Sequence, residues 1–197
     1  MEFFRRAPGR PTALGVFPGS FNPPTVAHLA LACAALEFTG EVVFVLPRNF
    51  PHKDFSGASF EDRVEMLLAA AAGQDRFSVA ASWSGLFVEI AAECREAYGE
   101  QIQPSFLCGS DAAQRIAGWD YGTRGAFAGM MRQFDLLVAE RGGPFALPHR
   151  RLELPAHYAH VSATQVRERI ARGESWEHLV PPAIHAHVRR IYATARR

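Results

Sequence analysis

His28, Lys53 and Arg167 are the cations whose neighbours suggest chemistry, and that chemistry is the holding of an anion. His28 stands one turn into a helical pattern opened at Thr25, directly after the turn Gly19-Ser20-Phe21-Asn22-Pro23-Pro24. Lys53 shares a second stretch broken by Pro and Gly, residues 47–58, with Arg48 and His52. Arg167 follows Ser162, Ala163 and Thr164 at the start of another helical pattern, and Thr164 and Arg167, three apart, share a face. A helix start presents backbone N–H groups and the positive end of the dipole, so the starts at Thr25 and Ser162 are suited to phosphate oxygens, with Ser and Thr hydroxyls and an Arg fork beside the second. Each feature also has a plainer use: a His in a first turn packs or caps, a Ser before a helix is an N-cap, and a loop rich in cations can be a solvated surface.

The elements that must position these groups follow from periodicity. Residues 13–17 form a short apolar strand that Gly19, Pro23 and Pro24 cannot continue, and the helical pattern runs through Val26, Leu29, Cys33 and Leu36 to a stop at Gly40. Residues 41–46 are a β-branched run ending at Pro47, as expected of a strand buried on both faces, so the two strands and their helix make a right-handed βαβ unit with parallel strands. Ligands then belong beyond the carboxyl ends of the strands, where the Gly19 turn and the Lys53 loop both lie. Ser59 with Asp62 gives a capping box and a helix to Gly73, residues 77–81 a third strand, and Leu86, Ile90, Cys94 and Ala97 a helix ending at Gly99. Residues 105–108, 135–139 and 151–154 are three further strands; Asp111 is placed to cap the helix after the first of them, and Ser162 with Gln165 reads as another capping box.

Composition sets limits on what such a site could serve. At 197 residues, 48% hydrophobic and 21% charged, the chain fits one domain with a sizeable core, residues 13–197, preceded by a loose N-terminal tail over 1–12. A net charge of +1 supplies no broad basic field, so long nucleic acids are not expected partners, and no stretch reaches the length of a membrane span. Cys33, Cys94 and Cys108 fall in apolar patterns without metal spacing and are expected as buried, reduced thiols, which favours the cytoplasm. His157 and His160 lack a third ligand nearby, so no protein metal site is expected, while the composition leaves room for a homo-oligomer.

Gly19-Ser20-Phe21-Asn22-Pro23 with Thr25 and His28 resembles the signature of the adenylyltransferases related to class I aminoacyl-tRNA synthetases, and residues 161–167 resemble their Ile-Ser-Ser-Thr-x-Ile-Arg motif, with Ala163 for the second Ser. Within that superfamily, Pro51-His52-Lys53 and the Gly109-x-Asp111 segment with Trp119 are similar to nicotinate and nicotinamide mononucleotide adenylyltransferases, and Arg141-Gly142-Gly143-Pro144 resembles their Arg-Pro-Gly turn. The similarity covers nearly the whole chain after residue 12. It weakens at Leu86-Phe87-Val88-Glu89-Ile90, where nicotinate-type enzymes usually place Tyr and Thr and where Gly85-Leu86-Phe87-Val88 is instead similar to a pantetheine-phosphate adenylyltransferase segment, and at Ala27, where Gly is common.

The resemblance implies an α/β, Rossmann-like doubly wound parallel sheet of about five or six strands with helices on both faces. It implies AMP transfer from ATP to nicotinate or nicotinamide mononucleotide with release of pyrophosphate, as in NAD biosynthesis, with Mg²⁺ arriving on the ATP. His28, Lys53 and Arg167 would be catalytic; Gly19, Ser20, Phe21, Thr25, Ser162 and Thr164 would bind the nucleotide; Gly109, Asp111, Trp119 and Phe87 would bind the acceptor, with Trp83 a second aromatic able to stack. Arg63 would be structural or bind phosphate, and Arg141 would be a ligand contact. Two other readings stand beside this one. One is a pantetheine-phosphate adenylyltransferase-like enzyme with another phosphomonoester acceptor; the other, motivated by the departures at Ala27, Ala163 and residues 86–90, is a nucleotide-binding regulatory module without turnover.

Overall fold

The computed structural model describes residues 1–49, 57–110, 113–114, 129–139, 148–158 and 160–193. Seven strands form one sheet: β1 (Glu2–Arg5), β2 (Leu14–Pro18), β3 (Glu41–Pro47), β4 (Phe77–Ser82), β5 (Pro104–Gly109), β6 (Asp135–Ala139) and β7 (Arg150–Arg151), in the spatial order β1-β4-β3-β2-β5-β6-β7. All pairs are parallel except β1 with β4. The chain winds outward from β2 through β3 to β4, then returns to place β5 on the other side of β2, so the strand order reverses between β2 and β5 and opens a crevice at their carboxyl ends.

The alternation of side chains along β3 explains the two covered faces. Val42, Phe44 and Leu46 point to the face packed by helices α1 (Val26–Ala35) and α2 (Phe60–Ala71), while Val43 and Val45 point to the face packed by α3 (Phe87–Tyr98) through Ile90, Ala91 and Cys94. A third apolar cluster joins Ala27 at the start of α1 to Val166 and Ile170 of α4 (Ala163–Arg172) and to Leu179, Val180, Ile184 and Val188, the last in α5 (His185–Val188). That cluster brings the N-terminal ends of α1 and α4 together. It also seats the Ala27 methyl, 3% exposed, among apolar side chains.

Several expectations are corrected by pairing that local sequence does not encode. Residues 1–12 are not a loose tail, because β1 pairs with β4 and two arginines at its end satisfy helix ends: Arg5, its last residue, donates to the Ala71 carbonyl at the end of α2 and to the Gln74 carbonyl beyond it, and the following Arg6 to the Ala97 carbonyl in the last turn of α3. The sheet therefore has seven strands, not five or six, and its last strand is two residues, Arg150–Arg151, where 151–154 were expected. Helix α1 stops at Ala35, five residues before Gly40, whose N–H instead donates to the Ala13 carbonyl at the foot of β2. Cys33 is exposed on α1, while Cys94 and Cys108 are buried as expected. Among the described residues no helix is long and apolar enough to cross a membrane.

The turn after β2 is built on Phe21, whose φ of 46° lies in the left-handed region and whose ring, 1% exposed, folds back beneath the chain. That ring meets Phe17 at 5.3 Å, Phe44 at 5.5 Å and His28 at 5.2 Å between centroids. It also lies directly under Gly19, where a Cβ would come within 2.9 Å of Phe21 Cζ. Gly19→Ala should therefore destabilise the fold by about 1–3 kcal/mol, as overpacking does, seen as a lower denaturant midpoint; an unchanged midpoint would show that the Phe21 ring is not seated there.

The buried thiols give a second test. Burial pushes Cys94 and Cys108 from 9.0 up to about 12. An unfolded chain releases these protons at lower pH than the folded one, so between pH 9.0 and about 12 the folded state binds more protons and stability falls as pH rises. The melting temperature should drop across that window, and at neutral pH a thiol reagent should modify Cys33 alone until the chain unfolds. Modification of Cys94 or Cys108 in the native protein would contradict their burial.

Candidate active site

Helix α1 begins with a capping box in which histidine takes the part usually played by Glu or Gln. The Thr25 hydroxyl accepts from the His28 backbone N–H at 3.3 Å, and His28 Nδ1 accepts from the Thr25 backbone N–H at 2.9 Å, with the Thr25 hydroxyl also 2.9 Å from Nδ1. Because Nδ1 is an acceptor of a main-chain N–H, the network assigns the ring proton to Nε2 and fixes the imidazole's orientation. Thr25 is fully buried, so its hydroxyl serves this cap rather than a ligand. Phe21 is likewise a support: its side chain is in the core, and only its backbone can face a nucleotide.

The start of α4 is reached from the same turn by one arginine. Ser162 caps α4 by accepting from the Gln165 N–H at 3.1 Å, but Gln165 Oε1 is buried without a partner, so only half of the expected capping box forms. Arg167, half-buried, donates through Nη1 to the Asn22 carbonyl at 2.5 Å and through Nη2 to the Thr164 hydroxyl at 3.2 Å. Ser162 and Thr164 are exposed at the mouth. Arg167 thus ties the start of α4, with Thr164, to the Asn22 carbonyl, three residues before the Thr25 cap of α1 and beyond the carboxyl end of β2.

Asn22 and Arg63 hold this corner in shape. Asn22 is buried; its Oδ1 accepts from the Tyr192 hydroxyl at 2.5 Å and from the Ala58 N–H at 3.4 Å. Arg63, 5% exposed, donates to the Ser20 carbonyl at 3.3 Å and to the Ser59 carbonyl at 3.2 Å. Burial pulls Arg63 below the ordinary arginine range, opposed by Tyr192 and Glu61. Arg63 is therefore the strut beneath Ser20, which supports the structural of its two expected roles. The available signal was a polar Asn fixed between Phe21 and Pro23, and an Arg on the otherwise apolar stripe of α2.

On the acceptor side the residues separate. Gly109 ends β5 beside the crevice, and a Cβ there would meet nothing within 4 Å, so the position is open. Phe87, half-buried, stacks on Phe106 at 4.2 Å and 14° and meets Phe134 edge-on, so one face of its ring packs on the core. Trp83, beyond the end of β4, is 72% exposed. Arg48 is no free-swinging phosphate cation, since it pairs with Glu2 at 2.5 Å and lies over the rings of Phe60 and Trp83. Lys53, Asp111, Trp119 and Arg141 lie outside the described residues.

The assembled groups suit a phosphate-bearing ligand. Around the cradle stand an imidazole Nε2–H, a guanidinium, hydroxyls and helix N-termini, all donors. Among the described residues no three His, Cys, Asp or Glu side chains gather as a metal cage. Comparison with known proteins agrees. The family model described as cytidylyltransferase-like matches residues 16–169, a span that runs from β2 past Arg167. The probable nicotinate-nucleotide adenylyltransferase of Moorella thermoacetica is 30% identical, over 91% of this chain and 90% of that protein. A namesake from Rubrobacter xylanophilus is 32% identical over 87% of this chain and 86% of that protein. Among solved structures, Plasmodium falciparum nicotinic acid mononucleotide adenylyltransferase complexed with NaAD superposes with a TM-score of 0.71, covering 91% of this chain and 95% of that one, at 15% identity, which speaks for the fold alone. With its turn, its switch point and its two capped helices in the matched span, the chain belongs to the cytidylyltransferase-like nucleotidyltransferase family.

Proposed function

We propose that this chain is a nicotinate-nucleotide adenylyltransferase, joining ATP to nicotinate mononucleotide and releasing pyrophosphate, and that it acts as one domain with β1 included. The observation that carries the reading is the relatives' name, shared at 30–32% identity over almost the whole chain, set beside a site made of phosphate donors. A nicotinamide mononucleotide acceptor belongs to the same reading.

An oxygen of the acceptor's phosphate attacks the α-phosphorus of ATP, the new P–O bond forms, and the bond to the α–β bridging oxygen breaks as pyrophosphate leaves. The attacking monoester is already anionic, so no protein nucleophile or base is required; the protein aligns the partners and stabilises charge. His28 donates its Nε2–H at the transferring phosphate, its orientation held by Thr25. Arg167, with Thr164 and Ser162 at the α4 terminus, takes the departing pyrophosphate, and Lys53 adds charge on the strength of its sequence resemblance. Gly19 and Ser20 lend backbone, and Gly109, Asp111 and Trp119 form the acceptor side. A Mg²⁺ ion carried by the ATP would neutralise phosphate charge; His28, Arg167, Ser162 and Thr164 offer donors that suit phosphate oxygens rather than a cation, so the nucleotide itself would hold the ion.

Incubation with ATP, Mg²⁺ and, in turn, nicotinate mononucleotide, nicotinamide mononucleotide and phosphopantetheine should release pyrophosphate fastest with the first. Release with phosphopantetheine only would overturn the acceptor assignment, and no release with any acceptor would favour the regulatory module. His28→Ala should lower kcat by about a hundredfold, the usual worth of one transition-state donor, with ATP affinity nearly unchanged. An unaltered kcat would remove His28 from the mechanism.

A further inference from the structure

The segment Arg189–Ala193, after α5, reaches back across the molecule to the turn after β2. Tyr192 donates its hydroxyl to Asn22 Oδ1 at 2.5 Å, and the Asn22 carbonyl receives Arg167 at 2.5 Å. The Ala58 N–H also donates to Oδ1, at a longer 3.4 Å, so the phenol is the closer of these two donors. Gly57 completes the contact at φ +110°, a conformation that favours glycine, and a Cβ there would stand a tight 3.3 Å from both Asn22 Oδ1 and Tyr192 Cε1. From this arrangement we infer that Tyr192 is a positioning residue for adenylyl transfer, orienting Asn22 so that its carbonyl holds the Arg167 guanidinium toward the departing pyrophosphate.

The phenol has one proton to give and gives it to Asn22. Burial keeps that proton in place by raising Tyr192 well above the ordinary tyrosine range, against the opposing pull of Arg167 and Arg63 nearby. The chain end thereby contributes to the site without touching substrate. A second tether, Arg190 to Asp62 at 3.1 Å and Glu65 at 2.9 Å, holds the same segment to α2 but leads to neither Asn22 nor Arg167, and both partners of the longer link are solvent-accessible.

This inference rests on the adenylyltransferase reading, and the test separates the two. Tyr192→Phe keeps the ring and loses only the donor. It should lower the melting temperature by only about 2–4 °C, because the Ala58 N–H still reaches Oδ1, lower kcat on the order of tenfold, the kinetic worth of one buried hydrogen bond, and leave KM for nicotinate mononucleotide in place. Calorimetric titration with inorganic pyrophosphate should show a matching loss of affinity. In an Arg167→Ala background the Tyr192→Phe change should have no further effect on either quantity, since its action passes through Arg167. Arg190→Ala, which loosens the same segment elsewhere, should keep kcat within about twofold, as an exposed ion pair contributes little. Equal losses from Arg190→Ala and Tyr192→Phe, or additive losses with Arg167→Ala, would reduce Tyr192 to a packing residue. A wild type that turns over no acceptor, yet binds pyrophosphate less well after Tyr192→Phe, would sink the assigned reaction and leave the positioning role standing. A wild type that binds no pyrophosphate would overturn both.

Discussion

A single buried amide governs the site. Asn22 accepts from Tyr192 and Ala58 through its side chain and from Arg167 through its main chain, and these donors come from the chain end, the approach to α2 and the first turns of α4. Because a buried acceptor left without its donor is costly, these segments cannot drift from the turn singly. Arg63 repeats the logic one step away, holding the Ser20 carbonyl from inside α2. The turn is thus gripped from outside by polar contacts and supported from below by Phe21 on Phe17 and Phe44.

On that support the sheet topology supplies the place and the helix caps the chemistry. Reversal of strand order between β2 and β5 leaves a crevice at their carboxyl ends. Thr25 and His28 then cap α1 reciprocally, so the same side chain that satisfies a helix end has its ring proton fixed on Nε2. An imidazole in that place does what a Glu cannot, since a carboxylate would complete the cap but repel a triphosphate. The site's cations are spread over separate elements, which is why a chain of net charge +1 can still concentrate donors at one point.

What the amino-acid sequence determined by itself was local. The alternation of residues 41–46, the turn at Gly19 and Pro23, and the caps at Thr25, Ser59 and Ser162 are all written in neighbouring residues, because backbone sterics and first-turn hydrogen bonds involve groups a few positions apart. Parallel order and the carboxyl-edge location of the site followed from these through the handedness of βαβ units. Family resemblance carried the rest of the function, including a likeness for Lys53 that lies outside the described residues.

Tertiary structure alone decided which of these pieces meet and which side chains are spent on packing. Residues 2–5 became a strand because the free edge of β4 accepts them and Arg5 and the following Arg6 find helix ends 66 and 91 positions away. Phe87 packs half-buried against Phe106 of β5, while Trp83 is left at the surface. Arg167 lies 145 positions and Tyr192 170 positions from Asn22, separations at which no local propensity acts. The physical reason is that a helix or turn is stabilised by its own neighbours, whereas a site held by buried hydrogen bonds between distant segments exists only once the sheet and its three apolar clusters have brought them within reach.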